Sequence, residues 1–178
     1  MLSVNDLPHY KYKDYALWEG RWELIEGIPY AMTPSPNFRH QKISQEIARL
    51  LGDALLDCEQ CQAVLPVDWR VAEDTIVQPD NMVICYQPAG NFLTMAPSLI
   101  FEVLSESTSH KDRHTKYSIY EHEGVKYYSI IDPENSIAKI YRLFSGRYVK
   151  QLDTTDESFE FDLGECRINF DFSRIWAE

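Results

Sequence analysis

The sequence predicts an α/β protein in which a mixed β-sheet is flanked by two main helices. Three observations carry that prediction. An amphipathic helix begins near Asn37, a nearly continuous apolar strand runs over Leu99–Leu104, and strand-like segments lie on both sides of a second helix that Ser109 can cap and Gly124 can end. The order of helix, several strands, helix and several strands is that of an α/β sandwich. At 178 residues and 44% hydrophobic content, the chain reads as one domain, 1–178, with a sizeable core.

Taken in order, a short helix is expected over Tyr12 to Glu19, then two strands about the Gly27 turn within Arg21 to Met32. Thr33-Pro34-Ser35-Pro36-Asn37 punctuates the chain and starts the first long helix. Along it Ile43, Ile47, Leu50, Leu51, Ala54 and Leu55 recur at helical spacing, so one apolar stripe packs on the sheet. Strands are expected at Gln62 to Arg70, Thr75 to Val77, Asp80 to Tyr86 and Ser98 to Ser105. The last is apolar on both faces, as a central covered strand is. After the second helix come Lys126 to Ile131 and Ile137 to Leu143, joined by Asp132-Pro133-Glu134-Asn135, then weaker strands from Arg147 and Phe159.

Composition excludes several classes. No apolar run approaches the roughly 20 residues of a membrane helix, and Met1 to Tyr12 lacks the apolar stretch of a secretory signal, so a cytoplasmic protein with no membrane partner is expected. Cys58 and Cys61 form a single Cys-x-x-Cys at the end of a helix, and Cys85 and Cys166 stand apart from it. With no second pair at metal spacing, all four are read as ordinary reduced thiols. The net charge of −11 counts against tight, sequence-independent binding to phosphate backbones. From Gln151 onward eight acids face two bases, so more than half of the excess lies in the tail.

Glu102 is the most informative residue. A carboxylate within a buried apolar strand costs several kcal/mol unless it is paired, protonated or metal-bound. Asp80 opens the preceding strong strand, and two carboxylates converging there make a hard-oxygen site for Mg²⁺ or Mn²⁺. The ordinary structural alternative is a Glu paired with Lys or Arg and an Asp that caps a strand. Asp112, Lys116 and Tyr120 are four apart on the second helix, and a Lys delivered there can orient water or offset charge on a phosphoryl transition state. Its alternative is a surface Asp112–Lys116 pair. His40 falls near the apolar stripe and points inward, where it is either a core histidine or part of a site. Glu23 and Glu26 alternate to opposite faces of an early strand pair. Trp22, Tyr30 and the other aromatics are read as core residues rather than platforms for bases.

The assembled motifs resemble the Uma2 proteins, also called DUF820, a group of endonucleases abundant in cyanobacteria within the PD-(D/E)XK nuclease superfamily. The residues that carry the resemblance are Trp22-Glu23-Leu24-Ile25-Glu26-Gly27, Pro34-Ser35-Pro36 with His40, Pro79-Asp80, Phe101-Glu102-Val103-Leu104-Ser105 with Ser107-Thr108, Asp112 with Lys116 and Tyr120, and Gly124-Val125 with Tyr127-Tyr128 and Asp132-Pro133. They occur in family order over about residues 20–143. The resemblance implies a restriction-endonuclease-like core, Asp80 and Glu102 as ligands of a divalent metal, and Glu23 as a further acidic residue. Two departures stand out: Leu104 occupies the position of the superfamily lysine, for which Lys116 can substitute, and Glu106 stands where the family commonly has Pro.

The expected activity is metal-assisted phosphodiester hydrolysis, with DNA the first nucleic acid to try. Catalytic candidates are Glu23, His40, Asp80, Glu102 and Lys116, with Mg²⁺ or Mn²⁺ on Asp80 and Glu102. The alternative is a nuclease fold that has lost catalysis and serves as a binding or interaction module. A glycosidase using Glu23 and Glu102 finds no further support in the sequence. A homodimer is expected by analogy with nucleases that cut both strands.

Overall fold

The computed structural model describes residues 8–32, 36–105 and 111–176, so the expectations for Thr33–Ser35 and for Glu106, Ser107, Thr108 and Ser109 lie outside the described residues. In chain order the first elements are α1 (Tyr12–Tyr15), β1 (Trp22–Ile25), β2 (Ile28–Ala31), α2 (Phe38–Ala54), β3 (Gln62–Val64), β4 (Trp69–Ala72), β5 (Thr75–Val77), β6 (Asn81–Ile84) and β7 (Leu99–Val103). A π-helical stretch (Lys111–Lys116) then leads into α3 (Tyr117–His122), followed by β8 (Tyr127–Asp132), β9 (Ile137–Phe144), β10 (Arg147–Thr154), β11 (Ser158–Asp162), β12 (Arg167–Asp171) and a 3₁₀ turn (Phe172–Trp176). Two compact units result. The first comprises Met1–Ser35, Val67–Gln78 and Pro88–Met95, and the second comprises Pro36–Pro66, Pro79–Gln87 and Ala96–Glu178.

The first unit is built on a four-stranded sheet in the order β2-β1-β5-β4. β1 and β2 form a tight hairpin whose connecting residues, Glu26 and Gly27, both have positive φ, at 50° and 76°. Two positive φ values match the primed turn that follows the right-handed twist of paired strands. A side chain at Gly27 would also meet the His9 ring. Leu24, Ile25, Trp69, Ile76, Val77 and Leu93 make the apolar interior. Trp22 is half-buried and Tyr30 exposed, so neither belongs to the core as the sequence suggested.

The second unit carries a six-stranded mixed sheet in the order β10-β9-β8-β7-β6-β3. β7 and β8 run parallel, and every other neighbouring pair in that sheet is antiparallel. The parallel pairing of β7 with β8 needs a crossover connection, and the helical segment between them carries the chain back to the end of the sheet where β7 began. All five residues of β7 are buried, as the apolar run predicted. On one face lies α2, whose Ile43, Ile47, Leu50, Leu51 and Leu55 pack with Leu99, Phe101 and Val103 of β7. The β11–β12 hairpin and the 3₁₀ turn cover the same core with Phe161, Ile168, Phe170, Phe172 and Ile175. On the other face α3 packs by aromatic edges, with Tyr120 against Tyr128 at 5.1 Å and Tyr117 against Tyr141 at 5.2 Å.

Two expectations are corrected. The strand predicted from Gln62 to Arg70 is two strands, β3 and β4, in different sheets. Pro66 interrupts the run because it has no N–H to give to a ladder. The helix predicted from Tyr12 to Glu19 stops at Tyr15. Among the described residues, no helix is long and apolar enough to cross a membrane.

Candidate active site

Asp80 lies one residue before β6. In the β6–β7 ladder Asn81 stands opposite Phe101, so the next position outward sets Asp80 beside Glu102. The structure bears this out through the backbone: Asp80 Oδ2 accepts a hydrogen bond of 2.9 Å from the N–H of Val103. The same oxygen lies 3.3 Å from His40 Nε2. His40 is buried near the start of α2, where Asn37 caps the helix by accepting from the His40 N–H at 2.9 Å. The inward orientation expected of His40 is thus met by a carboxylate partner.

One helical turn further along α2, Ser44 donates to the Asn81 side-chain oxygen at 2.9 Å, and the Asn81 amide donates to the Ser44 carbonyl at 3.1 Å. Both residues are buried. His40 and Ser44 are four apart, so one face of α2 grips the successive residues Asp80 and Asn81. This pair fixes the entry to β6, and hence the position of Asp80, relative to the helix. Nothing in the sequence singled out Ser44, because its partner lies 37 residues away.

Glu102 is 2% exposed and Lys116 3% exposed. Lys116 Nζ lies 2.9 Å from Glu102 Oε1, and Tyr120 donates its hydroxyl to the same oxygen at 2.6 Å. Among the described residues, the buried carboxylate is met by the Lys116 charge and a short hydrogen bond from Tyr120. Lys116 ends the π-helical stretch and Tyr120 sits in α3, four residues on. A π-helical segment inside a helix often marks a functional position. The side chain of Asp112 lies outside what is described, but Lys116 points to Glu102 and so is no surface residue.

The parallel register of β7 with β8 pairs Glu102 with Ile130. Leu104, two residues beyond Glu102, shares its face by alternation and joins Ile130, His114, Tyr117, Ser118, Lys139 and Tyr141 around a cavity of about 350 Å³. Burial and the neighbouring Glu121 raise the Tyr117 hydroxyl above its ordinary pKa, so it stays a donor. Carboxyl ends of parallel strands are where α/β sheets commonly bind ligands.

Glu23 belongs to the first unit. It is fully buried in β1 and its Oε1 accepts from the Gln78 N–H at 2.9 Å, whereas Glu26 is exposed in the turn. The expected alternation of the two is corrected: Glu23 is on β1 and buried, but Glu26 is a turn residue with positive φ, past the end of the strand, so no strand face is assigned to it.

With the geometry established, relatives can be compared. The model of the family described as "Uma2: Putative restriction endonuclease" matches residues 12–163. The chain belongs to the Uma2 family. A crystal structure described as that of a "putative nuclease belonging to DUF820 from Anabaena variabilis ATCC 29413" superposes with a TM-score of 0.77 at 17% identity. The match covers 93% of this chain and 97% of that one, and at this identity the likeness is one of fold. A cryo-electron-microscopy structure of a DrdV–DNA complex matches with a TM-score of 0.38 at 13% identity, over 65% of this chain and 12% of that one. No curated protein shows a match. The Uma2 fold is the mixed α/β architecture expected; in the second unit Asp80 meets His40 and the Val103 N–H, and Glu102 meets Lys116 and Tyr120.

Proposed function

We propose that this Uma2 protein is a metal-dependent endonuclease that hydrolyses phosphodiester bonds, with DNA as substrate and Mg²⁺ or Mn²⁺ held by Asp80 and Glu102. The observation that carries the reading is the adjacency of Asp80 to the β7 backbone at Val103, directly beside a buried Glu102 that already has a cationic partner. A Glu–Lys pair alone satisfies the burial of Glu102. It gives no reason for a second carboxylate at the same strand end, held by a buried histidine.

The donor set suits a hard cation, since two carboxylates brought to adjacent strand positions supply the oxygen ligands that such ions take. When bound, the ion would polarise a phosphoryl oxygen and lower the pKa of a water. Lys116, positioned by Glu102, offsets charge developing on the phosphoryl group or orients the attacking water. Its arrival from the helix takes the place of the lysine that Leu104 lacks. Tyr120 fixes Glu102, and His40 tunes Asp80 or meets phosphate. Glu23 is carried in the proposal on the family resemblance alone. The family match, over residues 12–163, runs through both units, which supports treating 1–178 as one nuclease domain, and the cytoplasm is the location carried forward from the sequence. A homodimer would let two such sites act on two strands.

The second reading is a nuclease fold without catalysis that serves as a binding module, favoured by Leu104 and by the net charge of −11. Incubation of the pure protein with supercoiled plasmid and with single-stranded DNA in Mn²⁺ or Mg²⁺ separates the two. The endonuclease reading expects nicked and linear product that EDTA abolishes. No product from either substrate with either ion would favour the binding module.

A further inference from the structure

The four cysteines do not stand apart as their spacing suggested. Cys58 lies just past the end of α2, Cys61 directly before β3, Cys85 directly after β6, and Cys166 in the turn between β11 and β12. The structure pairs Cys58 with Cys166 and Cys61 with Cys85 across 108 and 24 residues. The two pairs lie against each other: the Sγ atoms of Cys58, Cys61 and Cys166 are all within 4.8 Å of one another, and Cys85 is bonded to Cys61. Three of the four sulfurs thus lie together, with the fourth bonded to one of them, and every contributing segment belongs to the second unit.

We propose that Cys58, Cys61, Cys85 and Cys166 form, in the reduced chain, a single tetrathiolate site for Zn²⁺. Two disulfides acting only as cross-links have no need to touch. A tetrahedral Zn–S₄ centre, with Zn–S near 2.3 Å, needs four sulfurs about 3.8 Å apart; Cys58, Cys61 and Cys166 lie at that scale, and reduction releases Cys85 from its bond to Cys61 to take the fourth place. The Cys58-x-x-Cys61 spacing is that of a zinc ligand pair, and the other two ligands come from the strand beside it and from a distant turn. Cys58 and Cys61 are buried at 8% and 6% exposure, while Cys85 and Cys166 are half-buried, so the site is walled on the core side and open to an entering ion. The centre would tie the β11–β12 turn to the end of α2 and to the outer strand β3.

The chemistry closes with a thiol reductant of the glutathione class. Each disulfide takes up two electrons and two protons, the reductant being oxidised to its own disulfide. Zn²⁺ then displaces four protons from four thiols, giving a centre of charge −2. The site shares no residue with Asp80, Glu102 or Lys116, so its fate is independent of the nuclease reading.

The test uses the full-length protein, reduced with a phosphine that does not bind metal strongly, then given Zn²⁺ or Co²⁺ and freed of excess ion by gel filtration. About one Zn²⁺ per chain is expected, together with the intense visible and thiolate-to-metal absorption of tetrahedral Co²⁺–S₄. Cys166→Ser should lose the Co²⁺–S₄ spectrum, and Asp80→Ala should keep it. Should the Cys166→Ser protein fail to fold, the wild-type spectrum still decides. A reduced wild-type chain whose Co²⁺ shows only the weak bands of oxygen ligation, or that keeps no Zn²⁺ through filtration, would overturn the proposal.

Discussion

Lys116→Met should destabilise the protein by about 3–5 kcal/mol in urea unfolding, because it leaves Glu102 charged, 2% exposed and without its cation. The Tyr120 hydroxyl would remain as a donor to Oε1, and a neutral hydrogen bond does not replace a paired charge in that environment. The double variant Glu102→Gln/Lys116→Met removes both charges and is expected to recover much of the loss, since a neutral pair of similar volume no longer carries the desolvation penalty. Both variants should be inactive on DNA. That split between stability and activity separates a catalytic pair from a purely structural one. An unchanged unfolding midpoint in Lys116→Met would mean that the ion pair does not hold the β7 carboxylate in solution.

Asp80→Asn should behave in the opposite way. Asp80 retains 19% side-chain exposure and its Oδ2 accepts from Val103 N–H, a bond that an amide oxygen can also accept. The fold should therefore survive with a loss within about 1–2 kcal/mol. Cleavage should fall by about a hundredfold or more, since one of two anionic oxygens facing the cation is gone. Calorimetric Mn²⁺ affinity should fall with it. Cleavage at the wild-type rate in Asp80→Asn would remove Asp80 from the site.

Much of the candidate site was legible because its determinants are local. An acidic residue in a five-residue apolar strand announces itself in the string Leu99-Ile100-Phe101-Glu102-Val103, and the four-residue spacing of Lys116 and Tyr120 puts both on one helical face. The stripe from Ile43 to Leu55 likewise names its own buried face. The details that escaped depend on partners far away in the chain. Ser44 becomes a clamp only because Asn81 arrives beside it, and Cys58 meets Cys166 only because the last hairpin folds back over the α2 face. The division of Gln62 to Arg70 between two sheets turns on which edge each half finds, which hydrophobic alternation within the run does not encode. Residue type alone favours Tyr30 for the core, but it sits on an outer hairpin strand, which leaves the aromatic exposed.

Diffraction from crystals soaked in Mn²⁺, with the anomalous signal used to place the ion, tests the central claim most directly. The account predicts a peak bound at about 2.0–2.2 Å by one oxygen each of Asp80 and Glu102, with waters completing the shell and Lys116 alongside. A soaked crystal with no ion between these two carboxylates, or with Mn²⁺ held only elsewhere on the protein, would contradict it.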